Sequence, residues 1–229
     1  MKVIAVNFNM QMDNETFLYV IQFIDKKKQE RIHRFHKWQD KYRTLIGELL
    51  TRMLIMETLK IKNSEIDFYI SEFGKPELIN YPNFHFNISH SGDWVVCAIH
   101  SSKIGVDVEA ILNIDYTGFE NIFLNDEYMK IINHSSPHDL FFEYWTLKES
   151  FVKCIGKGLN EPLNSFGLKF SETIPILIDS NEIPISGFFF KQYFLSDNYK
   201  TAVCSTGNEF PKNITYYTLE NIVNYFRNL

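Results

Sequence analysis

Clustered cysteine, long apolar runs and any overall basic excess are all missing from this chain, and each absence removes a class of protein. Its three cysteines, Cys97, Cys154 and Cys204, are too far apart for a paired metal-ligand spacing. Two of them lie in strand-like runs, Val95-Val96-Cys97-Ala98 and Ala202-Val203-Cys204, so buried reduced thiols are expected, as in a cytoplasmic protein. No segment approaches the roughly 18 consecutive apolar residues of a membrane span, and Met1 to Asn7 has too short an apolar run and no small-residue cleavage pattern for a signal peptide. A net charge of −5 argues against general nucleic-acid binding, which needs an extended basic face. No Pro/Gly/Ser-rich linker divides the chain, so a site shared between two halves would lie in a fixed cleft.

With 229 residues, 45% of them apolar, and 21 Phe and 12 Tyr, the sequence can bury a sizeable core. Its charge is uneven. Lys26 to Arg43 holds eight Lys and Arg against Glu30 and Asp40, a local +6 that leaves −11 elsewhere. Lys28, Arg31 and Arg34 recur at helical spacing there, with Ile32 and Phe35 to bury. The segment is a candidate for a compact phosphorylated ligand, and equally a solvated face.

In order, residues 3 to 8 read as a strand, and Asp13 or Asn14 can cap a helix running to about Ile24. Leu45, Leu49 and Met53, with Ile46, Leu50 and Leu54 beside them, predict a long core helix from Trp38 to Leu59. Strands are expected over Ile66 to Ser71, Phe84 to Ile88 and Trp94 to His100, with turns at Gly74-Lys75-Pro76 and Ser91-Gly92. Glycine lets backbone approach a ligand, and Lys, Ser and His supply donors, so Gly74-Lys75-Pro76 and Ser89-His90-Ser91-Gly92 are candidate contacts for phosphate or base edges. Ser89 and His90 are adjacent in a strand and point apart, which makes them a poor nucleophile pair.

The second half opens with Ile104-Gly105-Val106-Asp107-Val108-Glu109. In a strand Val106 and Val108 enter a core while Asp107 and Glu109 project together from the other face. Like charges that close raise the pKa of one of them unless a cation offsets the repulsion, and a hard divalent ion such as magnesium is the usual resolution. Asn125 can cap a short helix. Ser136-Pro137 reads as the N-cap and first residue of a helix with Tyr144, Leu147 and Phe151 as its apolar stripe and Gly156 near its end. On that helix Glu149 and Lys153 are four apart, so a third carboxylate and an ammonium can reach the same ion. On spacing alone solvation stays the favoured reading, the Glu-Lys pair being surface support worth roughly 0.2–0.5 kcal/mol. Strand-like runs over 166–170, 174–178, 187–195, 200–205 and 214–218 precede a terminal helix from Leu219. The fold class expected is α+β, each half helices with several antiparallel strands, divided at 1–103 and 104–229. The echo of Val96-Cys97 in Val203-Cys204 hints at duplication.

Gly74-Lys75-Pro76, Phe86-Asn87-Ile88-Ser89-His90-Ser91, Ile104 to Glu109 and Trp145-Thr146-Leu147-Lys148-Glu149-Ser150-Phe151, with Lys153 following, closely resemble the 4′-phosphopantetheinyl transferases. Length and two-half layout look like the Sfp-type branch that activates surfactin synthetase. The resemblance implies a pseudo-twofold monomer binding coenzyme A in the cleft between halves. It also implies a holo-[carrier-protein] synthase activity, moving the phosphopantetheine arm to a serine of an apo acyl or peptidyl carrier protein and releasing adenosine 3′,5′-bisphosphate. Such an enzyme would serve antibiotic or fatty acid biosynthesis.

By the same resemblance Asp107, Glu109 and Glu149 match magnesium-binding acids. Lys28, Arg31, Thr44 and His90 match positions around the 3′-phosphate, and Phe73, Gly74, Lys75, Pro76 and Ser89 positions around the adenosine, with Arg43 a further candidate. Lys153 would stabilise charge on the leaving phosphate. Glu149 would help deprotonate the carrier serine, directly or through a water on the metal, its ligand and base roles left open. Position 31 is Arg where many relatives carry Lys, keeping the charge but presenting a planar fork. The carrier is expected to dock at the loop from Tyr116 to Leu124 and the nearby helix. The rivals are a degenerate relative that binds coenzyme A without transfer, and a nucleic-acid module built on the Lys26 to Arg43 helix.

Overall fold

The computed structural model describes the 229 residues, the side chain of Leu159 excepted. The first part runs β1 (Lys2–Asn7), α1 (Asn14–Val20), α2 (Lys26–His33), α3 (Trp38–Leu59), β2 (Phe68–Ile70), β3 (Pro76–Leu78), β4 (His85–Ser91) and β5 (Trp94–His100). It continues through β6 (Ile104–Ala110), α4 (Asn125–Ile132), α5 (Pro137–Ile155), β7 (Phe166–Ser171), β8 (Ile174–Asp179), β9 (Phe189–Gln192), β10 (Tyr199–Ser205), β11 (Thr215–Tyr217) and α6 (Leu219–Arg227). Among the described residues the strands form a sheet in the order β11-β1-β5-β4, a second in the order β6-β10-β9, and the hairpins β2-β3 and β7-β8. This is the α+β architecture expected. All pairings are antiparallel except β1 with β11, where the chain's last strand returns to the first sheet in parallel register, Ala5 opposite Tyr216.

Period-two alternation distributes the strands between cores. Ile4 and Val6 of β1 and Val95, Cys97 and Ile99 of β5 face α3, whereas Val3, Ala5, Val96 and Ala98 face the opposite way and meet Val106, Val108 and Val203 of the second sheet. Buried on both faces, β5 reads as a continuous apolar run. Helix α3 is apolar most of the way round because it lies between that sheet and α6, whose Ile222, Val223 and Phe226 join the same core. The structure ends α3 at Leu59, as expected, with Lys60 in the left-handed conformation (φ 58°).

Helix α5 lies across β6 and β10. A β-carbon built on Gly105 would fall 2.1 Å from the Ser150 carbonyl oxygen and 2.3 Å from the Cys154 nitrogen, so helix and strand touch through their backbones. Gly156 ends α5 at φ 77°. Buried Lys148 ties this helix to its surroundings, pairing with Glu127 of α4 at 2.8 Å and donating to the carbonyls of Leu163 (3.0 Å) and Phe166 (2.6 Å).

Several local expectations shift. Asp13 does cap α1, accepting from Thr16 N at 2.8 Å, but the α-helix stops at Val20 and a 3-10 turn carries the chain to Phe23. Leu124, not Asn125, holds the N-cap of α4, because the Glu127 carboxylate accepts from Leu124 N at 2.9 Å and takes over the capping. Ser136 occupies the N-cap of α5 without a side-chain bond. No helix among the described residues is long and apolar enough to cross a membrane.

Candidate active site

Asp107 and Glu109 project from β6 on the face opposite Val106 and Val108, as the alternation requires. The close contact at Gly105 brings α5 alongside that face, and with it Glu149 and Lys153. A cavity of about 290 Å³ is lined by Asp107, Glu109, Glu149 and Lys153 together with Ser89 and His90 of β4. Trp145, one turn before Glu149, completes the wall. An adjoining cavity of about 220 Å³ is lined by Phe73, Gly74, Lys75, Pro76, Asn87 and, again, Lys153. Lys153 therefore stands between the acid cluster and the Gly74-Lys75-Pro76 turn.

Asp107 is 1% exposed. Its Oδ1 accepts from Lys153 Nζ at 2.5 Å and from Ser89 Oγ at 2.8 Å, while its Oδ2 is buried without a hydrogen-bond partner. Lys153 Nζ also donates to Ser89 Oγ at 3.1 Å. Glu109 accepts from Ser91 Oγ at 2.8 Å. Burial, and then the charge of Asp107, push the Glu109 carboxyl above its ordinary value. Glu149 is raised as well, by burial first and by Asp107, with Lys153 pulling the other way. Burial holds the His90 imidazole below its usual value, helped by Arg43 and Lys153.

Three carboxylates and one ammonium on a single wall carry a net charge near −2 when ionised, a charge a divalent cation would offset. The unpartnered buried Oδ2 of Asp107 fits that role, since such an atom is costly unless something completes it. As they stand, no three His, Cys, Asp or Glu side chains among the described residues are gathered closely enough to be a finished metal centre.

The other expected ligand-binding residues lie in different settings. Lys28 pairs with Glu48 at 2.5 Å and stands over the Phe68 ring at 5.0 Å. Arg31 lies over the Phe35 ring at 5.9 Å, and Thr44 Oγ1 donates back to the Asp40 carbonyl at 2.9 Å. None of the three lines either cavity. Arg43 is ion-paired with Asp40 and donates to the Gly92 carbonyl at 2.6 Å, which places the start of α3 against the turn beyond His90. The Lys75 ammonium is turned into the protein, donating to the carbonyls of Lys153 at 2.6 Å and Ile104 at 3.0 Å, and burial lowers its pKa.

Sequence reasoning gave Trp145 and Asn87 no role, and read Ser91 as a ligand-contacting turn residue where it bonds Glu109 and Ala110 N. Asn87, Ser89 and Ser91 alternate on β4, and the polar face that results was legible as a period of two. Trp145 sits four residues before Glu149, the spacing that stacks side chains on one helix face.

An acid cluster and a lysine stand together at the junction of two helix-backed sheets, beside a glycine-bearing turn. The family description "4′-phosphopantetheinyl transferase, N-terminal" matches residues 11–102, and "4′-phosphopantetheinyl transferase superfamily" matches residues 103–204. The 4′-phosphopantetheinyl transferase Sfp of Bacillus subtilis (strain 168) is 36% identical over 217 residues, covering 93% of this chain and 94% of the relative. The transferase ffp of Bacillus subtilis is 34% identical across 97% of this chain and 100% of its own length, and gsp of Aneurinibacillus migulanus is 34% identical across 98% and 94%. The chain belongs to the 4′-phosphopantetheinyl transferase superfamily, in its Sfp-type branch, and moves the phosphopantetheine arm of coenzyme A onto apo carrier proteins.

Proposed function

We propose that transfer takes place at the Asp107, Glu109, Glu149 and Lys153 wall, with Asp107, Glu109 and Glu149 holding magnesium. The observation that carries this reading is the convergence of all four side chains, from one strand and one helix, on a single cavity that meets the Phe73 to Pro76 cavity at Lys153. Magnesium bound there would supply positive charge against the two bridged phosphates of coenzyme A. The carrier serine oxygen forms a bond to the β-phosphorus while the bond from that phosphorus to the bridging oxygen breaks. The electron pair leaves with adenosine 3′,5′-bisphosphate.

Lys153 neutralises the charge that grows on the leaving phosphate. Its ammonium already lies against one carboxylate and lines both cavities, so it need not leave the site to do so. The serine proton passes to Glu149, directly or through an intervening water. Phe73, Gly74, Lys75 and Pro76 with Ser89 hold the adenosine part. Lys28, Arg31, Thr44 and His90 take the 3′-phosphate, a role supported at the His90 end by Arg43 anchoring α3 to Gly92.

The acyl or peptidyl carrier docks beside the loop from Tyr116 to Leu124. In support, Phe119 packs edge-on against Trp145 at 6.2 Å, so the loop borders the cavity wall. Three buried free thiols suit the reducing cytoplasm, where the enzyme acts as a monomer in antibiotic or fatty acid biosynthesis.

The test is intact-mass analysis of an apo carrier incubated with this chain, coenzyme A and magnesium, beside an Asp107→Ala variant and a chelator control. A phosphopantetheine-sized gain lost in both controls is the expected result. Full modification by Asp107→Ala, or in excess chelator, would overturn the metal assignment.

A further inference from the structure

Strands β4 and β6 run side by side at the junction of the two sheets, yet share no backbone ladder. Side chains of β4 stand where a paired strand would offer carbonyls. Asn87 Oδ1 accepts from Val106 N at 2.8 Å, Ser89 Oγ from Val108 N at 3.3 Å, and Ser91 Oγ from Ala110 N at 3.1 Å. Both strands repeat every two residues, so the bonds recur in step. A hydroxyl that has accepted in this way still has one proton to give. Ser89 gives its proton to Asp107 Oδ1 at 2.8 Å, and Ser91 gives its own to Glu109 Oε2, also at 2.8 Å. Asn87, the member of the row nearest Gly105, makes no bond to a carboxylate.

We propose that Ser91 is a positioning residue for Glu109, locking the orientation of that carboxylate by bonding at once to it and to the backbone next to it. The inference rests on the reading of Glu109 as a magnesium ligand. A glutamate near a strand end has three side-chain torsions to fix before it can ligate. Ser91 fixes them in advance from the first half of the chain, while Glu109 belongs to the second, so this ligand is held in place only when the two sheets are joined. Ser89 plays the matching part for Asp107, but it also contacts Lys153 and cannot be tested for one role alone.

The experiment titrates manganese, as a paramagnetic probe of the site, into the full-length protein with coenzyme A present and follows free manganese by electron paramagnetic resonance. Ser91→Ala is expected to weaken binding roughly 10-fold or more, in the range seen when a ligand's hydrogen-bond partner is removed. Ser91→Thr, which keeps the hydroxyl, restores it. Thr51→Ala removes a buried hydroxyl that donates to the Gly47 carbonyl within α3 and lines neither cavity, so it is expected to lower the unfolding midpoint and leave manganese affinity unchanged. Ser91→Cys keeps the size with a weaker donor and serves if the alanine variant does not fold. Parental manganese affinity in both Ser91→Ala and Ser91→Cys would overturn the proposal, as would an equal loss in Thr51→Ala. Parental affinity in Glu109→Ala would instead sink the underlying reading of Glu109 as a ligand.

Discussion

Gly105→Ala is the substitution that most directly links packing to catalysis here. The added β-carbon would lie 2.1 Å from Ser150 O, 2.3 Å from Cys154 N and 2.8 Å from Lys153 C, where ordinary contact begins at 3.4 Å. All three atoms are backbone of α5, so no side chain can swing away. The helix must lift from β6 by about 1 Å, and overpacking of this kind costs about 1–3 kcal/mol. For a chain of this size that is a fall of roughly 2–12 °C in the unfolding midpoint. The lift also carries Glu149 and Lys153 away from Asp107, to which Lys153 is now bonded at 2.5 Å. Displacing reacting groups by about 1 Å can cost on the order of 100-fold in rate. The assay is mass-detected carrier modification at saturating coenzyme A and magnesium, beside thermal unfolding. A midpoint within about 1 °C and a rate within about twofold of the parent would refute the argument, because they would mean that α5 and β6 have slack the backbone contact denies.

Breaking the Glu127 and Lys148 pair by Lys148→Met leaves Glu127 ionised at 2% exposure, and is expected to cost about 3–5 kcal/mol in urea unfolding. The double variant Glu127→Leu with Lys148→Met should recover only part of that loss, because Leu124 N and the buried Leu168 N then lose their acceptor. Lys75→Met strips a buried donor from the Lys153 and Ile104 carbonyls, with an expected loss of about 1–3 kcal/mol and a slower transfer step. For pH, Glu149 has a folded pKa above its ordinary value. Its contribution is therefore most favourable below the ordinary glutamate pKa and is lost as pH rises through the raised folded value. In chelator, the stability of Glu149→Gln relative to the parent should thus grow from pH 5 to pH 8. A difference that shrinks over that window would contradict the raised pKa.

Periodicity made the long helices legible. In α3 and α5 the apolar residues recur at three and four because each helix must bury a stripe against a sheet, and both helices end where expected, α3 at Leu59 and α5 just before Gly156. The facing of Asp107 and Glu109 away from Val106 and Val108 was legible for the same reason at a period of two. Capping by Leu124 was not, because it depends on Glu127 reaching back while also serving Lys148 and Leu168 N, and no local pattern announces a carboxylate with three duties. The return of β11 to β1 was equally hidden. A three-residue strand carries too little pattern to name its partner, and its place is set by α6 seeking the first core.

Lys75 shows how local and tertiary information divide within one residue. Its place in a glycine-bearing turn marks the segment for ligand contact, and Phe73 to Pro76 do line a cavity. The ammonium itself answers a need that arises only after folding. The last carbonyls of α5 have no helical N–H to accept from, and Lys75 reaches across from the first half to supply a donor at the Lys153 carbonyl. A cation near a helix C-terminus is also favoured by the helix dipole. The side chain thus secures the end of the helix that bears Lys153, while the backbone of its turn remains against the cavity. Conditions on both halves meet in one site: β4 supplies hydroxyls to the acids of β6, and the turn between β2 and β3 supplies an ammonium to the end of α5. Separating the sheets would disconnect the acids and the lysine together, so loss of the site is expected to coincide with unfolding rather than precede it.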